Sequence, residues 1–384
     1  MKSNTYDIII AGAGLSGLSL AWYLTEGNYQ GNVLVVDNSF APYNSKTWCF
    51  WADEKPFFSE IVYKKWRKTY FSALDFTSFL YMTNYGYYCI RENDFKEYVL
   101  TQLRKKSNVT LLEEGILDIY GSKKKGVLVT KNSETFVADY IFQSIIVPDS
   151  AKKEQLKYPL LQHFFGMEIE TADGTFDVNT FTIMDVDESF DDGYAFMYVL
   201  PFDHNRALIE YTIFSEQVLK KKEYKKKIRK YISDKYGFEK KEYKVGRTEF
   251  GAIPMDDRPF EPQLDKNIYN LGTVGGLTKA STGYTFTRVQ RYSQLLAQSL
   301  IEGASPLAVN PSKARYRYYD KLLLHILSSS VKDSHRVFMH LFKNNSIDDL
   351  FSFLNEDGSI ADDLKIMNSV PYLPFFKAIA NNLK

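Results

Sequence analysis

The first forty residues constrain the fold most. Tyr6 to Ala11 reads YDIIIA, a short apolar run with Ile8, Ile9 and Ile10 at its centre. A run of that length followed at once by glycines reads as a buried strand. The glycines are Gly12, Gly14 and Gly17, within Gly-Ala-Gly-Leu-Ser-Gly. Leu18 to Thr25 then carries good helix formers, and a second apolar run, Val33 to Val36, ends at Asp37. Strand, glycine-rich turn, helix, strand and acid together make a dinucleotide-binding βαβ pattern. Gly12 permits the tight turn, Gly14 lets a pyrophosphate approach the backbone, and Gly17 lets the helix pack on the strand. The helix start, with Ser16 in it, offers free N–H groups and partial positive charge to phosphates. Asp37 is placed to accept hydrogen bonds from ribose hydroxyls. The turn alone does not separate FAD from NAD; its position at the head of the sequence favours FAD.

The same pattern returns late. Ile268 to Leu271 reads as a strand, Gly272-Thr273-Val274-Gly275-Gly276 as a second glycine-rich turn, and Thr282 to Leu300 as a helix. That helix would bring a second N-terminus to the cofactor. Between the two patterns lie runs of strand length and alternation: Phe164 to Thr171, Thr180 to Val186, Tyr194 to Pro201 and Arg206 to Phe214. They read as an antiparallel sheet. The expected fold is α/β. A discontinuous Rossmann-like domain (1–155 and 265–310) carries an inserted antiparallel β-sheet substrate domain (156–264), and a helical region (311–384) follows. The aromatic stretch 66–90 is expected to join the substrate side. Within the first domain, Val109 to Leu112 is a strand, Gly126 to Thr130 and Thr135 to Val137 a hairpin, and Tyr140 to Ile146 the return strand. A helix from about Ile90 to Lys105 opens on Arg91, which suits either a flavin phosphate or a surface ion pair.

Composition excludes more than it selects. Lys plus Arg is 48 and Asp plus Glu 47 in 384 residues. That balance gives no electrostatic case for nucleic acid. The two cysteines, Cys49 and Cys89, make no CxxC pair, and no HExxH or His/Asp cluster suggests a metal. The expectation is a reduced, cytoplasmic setting without a signal peptide, and no run of about 18 apolar residues could span a bilayer. Val218 to Lys235 reads as a very basic helix, a solvated face or a contact for anionic membrane. Trp48, Phe50 and Trp51 follow a loop and suit either core packing or a wall beside flavin and substrate. Asp256 and Asp257 read as turn acids rather than flavin contacts.

Several stretches together resemble one family, the FAD-dependent lycopene cyclases of carotenoid synthesis, and its bacterial beta-cyclase branch more than the plant one. They are AGAGLSGLSLAW from Ala11, KTWCFW at Lys46 to Trp51, LLQHFFG at Leu160 to Gly166 and YVLPF at Tyr198 to Phe202. LIEYT at Leu208 to Thr212, FGAIPM at Phe250 to Met255 and GTVGGLTKASTGYTF at Gly272 to Phe286 complete the set. The resemblance spans nearly the whole chain. It implies a fold similar to the hydroxybenzoate-hydroxylase type of flavoprotein. It also implies closure of the psi ends of lycopene into beta-ionone rings, an isomerisation that requires reduced FAD, with NAD(P)H as reductant. Lycopene and other acyclic carotenoids would be the substrates. The protein would sit peripherally on the inner face of the cell membrane. Two departures stand out. Tyr211 follows the family's Glu where relatives often have a second acid, and Thr273 stands where flavoprotein hydroxylases place an Asp.

Ring closure needs an acid for C2, a pocket that tolerates a cation at C1 and a base for the C6 proton. Glu210 lies in the alternating run Ala207 to Thr212. If Leu208 and Glu210 share a face, desolvation keeps the Glu protonated near neutral pH. A lone Glu on a strand is most often a surface residue; the family motif raises Glu210 above that and makes it the candidate acid. The expected cofactor set is Gly12, Gly14, Ser16, Gly17, Asp37, Arg91, Gly272, Thr273, Gly275 and Gly276. Trp48, Phe50 and Trp51 are the expected substrate contacts. A flavin monooxygenase or a prenyl-chain reductase on the same fold is the alternative.

Overall fold

The computed structural model describes residues 4–42, 46–53, 55–122, 124–145, 156–172, 174–255, 257–258, 260–309 and 312–382. Asp256, the stretch joining 145 to 156, and with it the expected boundary at 155, lie outside these.

The apolar run at the head forms β1 (Thr5–Ala11), and the glycine turn leads into α1 (Leu15–Glu26) and β2 (Val33–Asp37). Ile8 and Ile10 face one core and Ile9 and Ala11 another, because successive strand residues point to opposite sides. β1 pairs in parallel with β2 and with β11 (Thr135–Gln143), and β2 with β8 (Val109–Glu113). β18 (Ile268–Asn270) returns to pair in parallel with β11, and β17 (Gln263–Asp265) extends that edge. The second arm of the hairpin and the return strand are therefore one strand. The first half of β11 pairs antiparallel with β10 (Gly126–Thr130), which pairs with β9 (Ile116–Gly121); its second half carries β18 on the same edge.

A second sheet has the order β16-β12-β15-β14-β13-β5-β6. Its members are β5 (Lys68–Ala73), β6 (Phe76–Tyr81), β12 (Leu160–Thr171), β13 (Thr180–Val186), β14 (Tyr194–Pro201), β15 (Arg206–Ser215) and β16 (Tyr243–Met255). All pairs are antiparallel except β5 with β13, since β5 arrives from a separate excursion of the chain. A third, small sheet sets β7 (Gly86–Arg91) between β3 (Thr47–Ala52) and β4 (Lys64–Trp66). α2 (Glu92–Leu103) then packs against α1.

The basic helix is α3 (Lys221–Tyr236). It lays Tyr224, Ile228 and Ile232 on one face of the second sheet, with lysines outward. Each such buried side chain stabilises by about 1.5–3 kcal/mol. α4 (Phe286–Ile301) packs on α1 and begins four residues later than the sequence suggested, because an irregular loop with a turn at 280–282 occupies 277–285. The chain ends in α5 (Ala314–Ser329), α6 (Val331–Asn344), α7 (Ile347–Leu354), α8 (Ile360–Asn368) and α9 (Tyr372–Asn382). Ser330, Ser346 and Ser359 each accept the N3 amide of the helix they open, a cap worth about 1 kcal/mol. α5 and α6 lie against the face of the second sheet that α3 leaves open.

Candidate active site

One cavity of about 920 Å3 runs from Gly14 in the first turn, past the second turn at Gly272 and Thr273, to Ile379 in α9. It has a cradle at one end and an apolar chamber at the other.

The cradle follows from the glycines. Gly12 has φ +104, a value that favours glycine. A Cβ on Gly17 would lie 1.9 Å from the Gly12 carbonyl oxygen, so only glycine lets α1 pack this closely. A Cβ on Gly14 would meet nothing within 4 Å; that face opens into the cavity, where a phosphate has room to reach the backbone. Ser16 lines the same space beside Gly272, which has φ +63. Asp37 accepts the Ala13 amide at 2.6 Å and the Ser39 amide at 3.1 Å, tying the end of β2 to the turn. In the second turn Thr273 meets the Thr278 hydroxyl at 3.0 Å. Gly275 packs against the Asn270 carbonyl, and Gly276, at φ +80, lies against Phe260. Those two glycines shape the turn and stand back from the cavity. The N-terminus of α4 opens on the cavity at Thr285 and Phe286.

Arg91 does not reach this cradle. Its guanidinium donates to Glu168 at 3.1 Å and lies over the Tyr63 ring at 4.1 Å. The surface ion pair weighed for it in the sequence is replaced by a largely buried one. Asp257 accepts the Tyr158 amide at 3.0 Å, as a turn acid does.

In the chamber, Leu208, Glu210, Thr212 and Phe214 face the cavity. Ile209, Tyr211 and Ile213 face α3. Glu210 is 6% exposed. Burial first, and then the charge of Glu249, pushes its carboxyl well above the usual range. Its Oε1 accepts the Thr212 hydroxyl at 2.8 Å. Glu249, on β16, is equally hidden and exchanges a hydrogen bond with Glu210. Burial raises Glu249 as well, but Arg247 opposes that rise at 2.7 Å, and Thr47 donates to it through its amide and hydroxyl. Both carboxyls thus lie above their usual range, Glu210 by far the more, and Glu249, beside Arg247, is the better placed of the two to carry charge.

Further hydroxyls converge there. The Tyr198 and Tyr87 hydroxyls lie 2.8 Å apart, and the Tyr284 hydroxyl is 3.3 Å from that of Tyr87. Cys49 hydrogen-bonds Tyr198, and burial pushes its thiol up. Trp48 lines the cavity. Phe50 and Trp51 are packed away from it. Phe50 stacks on Phe286 at 4.3 Å, and Trp51 stacks on Phe351 at 4.4 Å and donates to its carbonyl. Sequence reading missed Glu249, Arg247 and the C-terminal side chains of the chamber. The available signal was Arg247-Thr-Glu249, where alternate spacing puts both side chains on one face of a strand.

Comparisons with known proteins agree with this architecture. The p-nitrophenol 4-monooxygenase of Pseudomonas putida DLL-E4 superposes with a TM-score of 0.61 at 12% identity, covering 97% of this chain and 98% of that one. A flavoprotein/dehydrogenase of Cytophaga hutchinsonii gives 0.59 at 13% identity, covering 98% and 99%. In sequence, the chloroplastic neoxanthin synthase of Solanum lycopersicum is 25% identical over 356 residues. That match takes in 83% of this chain and 65% of the relative, just under two thirds of its length. The profile of the family described as lycopene cyclase protein matches residues 7–380, nearly the whole chain. With a flavoprotein-type fold and a profile match from β1 to α9, the chain belongs to the lycopene cyclase protein family.

Proposed function

We propose that the protein is a lycopene beta-cyclase, closing the acyclic psi ends of lycopene into beta-ionone rings without net redox change. The observation that carries this reading is a buried Glu210, its carboxyl pushed well above the usual range by burial and the Glu249 charge, in an apolar chamber continuous with the two glycine-rich turns. Glu210 delivers its proton to C2 of the end group; the C5–C6 double bond closes on C1, the C6 proton is lost to solvent, and Glu210 is recharged from solvent before the next ring. A positioned general acid contributes typically ~10²–10⁴-fold. Tyr198, Phe196 and Tyr284 present rings to the chamber, and aromatic faces stabilise a cation by ~0.5–2 kcal/mol each.

Gly12, Gly14, Ser16, Gly17 and Asp37 fit FAD, with Gly272 and Thr273 from the second turn. The open face of Gly14 is the room its pyrophosphate needs. Bound there and kept reduced by NAD(P)H, FAD would supply negative charge to the site. The protein's own part is to exclude water and keep Glu210 protonated.

Among the described residues no helix is long and apolar enough to cross a membrane. Tyr372 and Phe376 nevertheless line the cavity while 56% and 64% exposed, and Leu373 beside them is 65% exposed. A lipophilic polyene would enter there from the inner face of the membrane, to which the protein binds peripherally. Flotation with liposomes tests this, and failure to bind neutral or anionic vesicles counts against it. Cyclisation itself is tested in deuterated water under anaerobic conditions. Each ring is expected to carry one solvent-derived deuterium, and product is expected to exceed NAD(P)H consumed. Stoichiometric NAD(P)H oxidation would favour the monooxygenase or reductase alternative.

A further inference from the structure

Glu210, Gly166 and Glu249 stand side by side on three adjacent strands. Gly166 of β12 is the register partner of Glu210 on β15 and of Glu249 on β16. Residues level with each other across a sheet share a face, so a side chain at 166 would separate the two carboxyls. With glycine there, they meet above the middle strand. A Cβ on Gly166 would sit 2.9 Å from Leu208 Cδ1, 3.1 Å from Glu249 Cγ and 3.4 Å from Glu210 Oε2.

The far side of Glu249 is held differently from Glu210. Arg247 reaches Glu249 at 2.7 Å, Thr47 at 2.5 Å and Glu168 at 2.9 Å, and Glu168 is also held by Arg91 at 3.1 Å. Among the described residues no such cation faces Glu210, which meets Thr212 and Glu249 and feels Cys49 nearby. The asymmetry decides where the shared proton rests. Two carboxylates in one dry site do not both ionise, and the one beside the guanidinium takes the charge.

We infer that Glu249 is the positioning residue of this acid: its carboxylate, clamped by Arg247 and admitted by Gly166, accepts the Glu210 O–H and fixes both the proton's place and the pH range over which it stays. This rests on the cyclase reading above, in which Glu210 is the acid. Glu249 acts through Glu210. After the proton passes to C2, the pair carries two negative charges against Arg247, so Glu210 regains a proton readily before the next turnover.

Activity against pH and the infrared carbonyl band of the protonated carboxyl in resting holoenzyme test this together. The wild type is expected to show a band that Glu210→Gln abolishes. Glu249→Gln removes the neighbouring charge, so Glu210 ionises more easily. Band and alkaline limb are expected to move together to lower pH by about one unit or more. Glu249→Asp keeps the charge and is expected to leave the limb near its wild-type position. Gly166→Ala forces the pair apart and is expected to move the limb in the direction of Glu249→Gln. A band and limb that do not move in Glu249→Gln overturn the proposal, even if turnover falls. Should Glu249→Gln fail to fold, an unmoved band in Gly166→Ala overturns it equally. A band that behaves as expected in a protein that cyclises nothing leaves the pair standing and removes the cyclase reading instead.

Discussion

The two faces of β15 bury polar groups in opposite ways. Toward α3, Tyr211 donates to Asp187 at 2.8 Å, and Lys227 meets the same carboxylate at 2.7 Å. Burial raises Asp187, but Lys227, Ser189 and Tyr211 outweigh it, and its carboxyl lies below the usual range. Toward the cavity, one residue earlier, Glu210 has no cation beside it among the described residues and lies far above that range. A carboxylate supplied with a cation is a structural joint. One that meets another acid keeps its proton and has something to give.

The largest expected effect leaves both faces intact and removes what the cavity face works with. Gly14→Val fills the open side of the first turn, so the purified variant should lack flavin absorbance and activity while its fold persists. Normal flavin content would mean that the turn serves another purpose. Next comes the acid. Glu210→Gln keeps shape and flavin but has no proton to deliver, and ring formation should fall by ~10²–10⁴-fold. Retained turnover, followed by pigment chromatography from a lycopene-accumulating host, would reduce Glu210 to packing.

Thermal unfolding against pH then sets the faces against each other. The folded pKa of Glu210 is raised above 4.5, so its contribution to stability is complete below that pH and is lost as pH rises through the folded value. Glu210→Gln should therefore gain on the wild type toward alkaline pH. The folded pKa of Asp187 is depressed below 3.8, so its contribution is present above that pH and is lost as pH falls through the folded value. Asp187→Asn should cost about 1 kcal/mol at neutral pH, a modest figure because Lys227 is 32% exposed and screened by solvent, and the deficit should vanish in acid. Parallel pH trends in the two variants would erase the distinction between the faces. The smallest effect is that of Tyr211→Phe. Losing one hydrogen bond costs about 0.5–1.5 kcal/mol in chemical denaturation, and cyclisation should be untouched.

The cradle was legible because its requirements are local. Gly12, Gly14 and Gly17 sit within six residues, and each answers a steric demand of the turn. The second sheet was legible from alternation, and Glu210 from its strand together with a family motif. Glu249 was not, because its meaning depends on a glycine in a third strand, and strand order is invisible to a linear scan. Arg91 was placed at the cofactor because its neighbour in space, Glu168, lies far off in sequence. Trp48, Phe50 and Trp51 suit either core packing or a wall beside the substrate, and the sequence does not choose between them. Phe50 joins the core that Phe286 completes, and Trp51 is claimed by Phe351 of a helix whose docking the sequence does not announce.

Trp51 donates to the Phe351 carbonyl across 300 residues of chain, and α8 and α9 supply Met367, Phe375 and Ile379 to the chamber. Synthesis runs from cradle to chamber wall, so the nascent protein has its glycine turns long before it has a dry interior. Until those last helices dock, one apolar wall of the chamber that Glu210 faces is missing. The closed chamber in which that carboxyl keeps its proton is therefore a property of the finished molecule and not of any part of it.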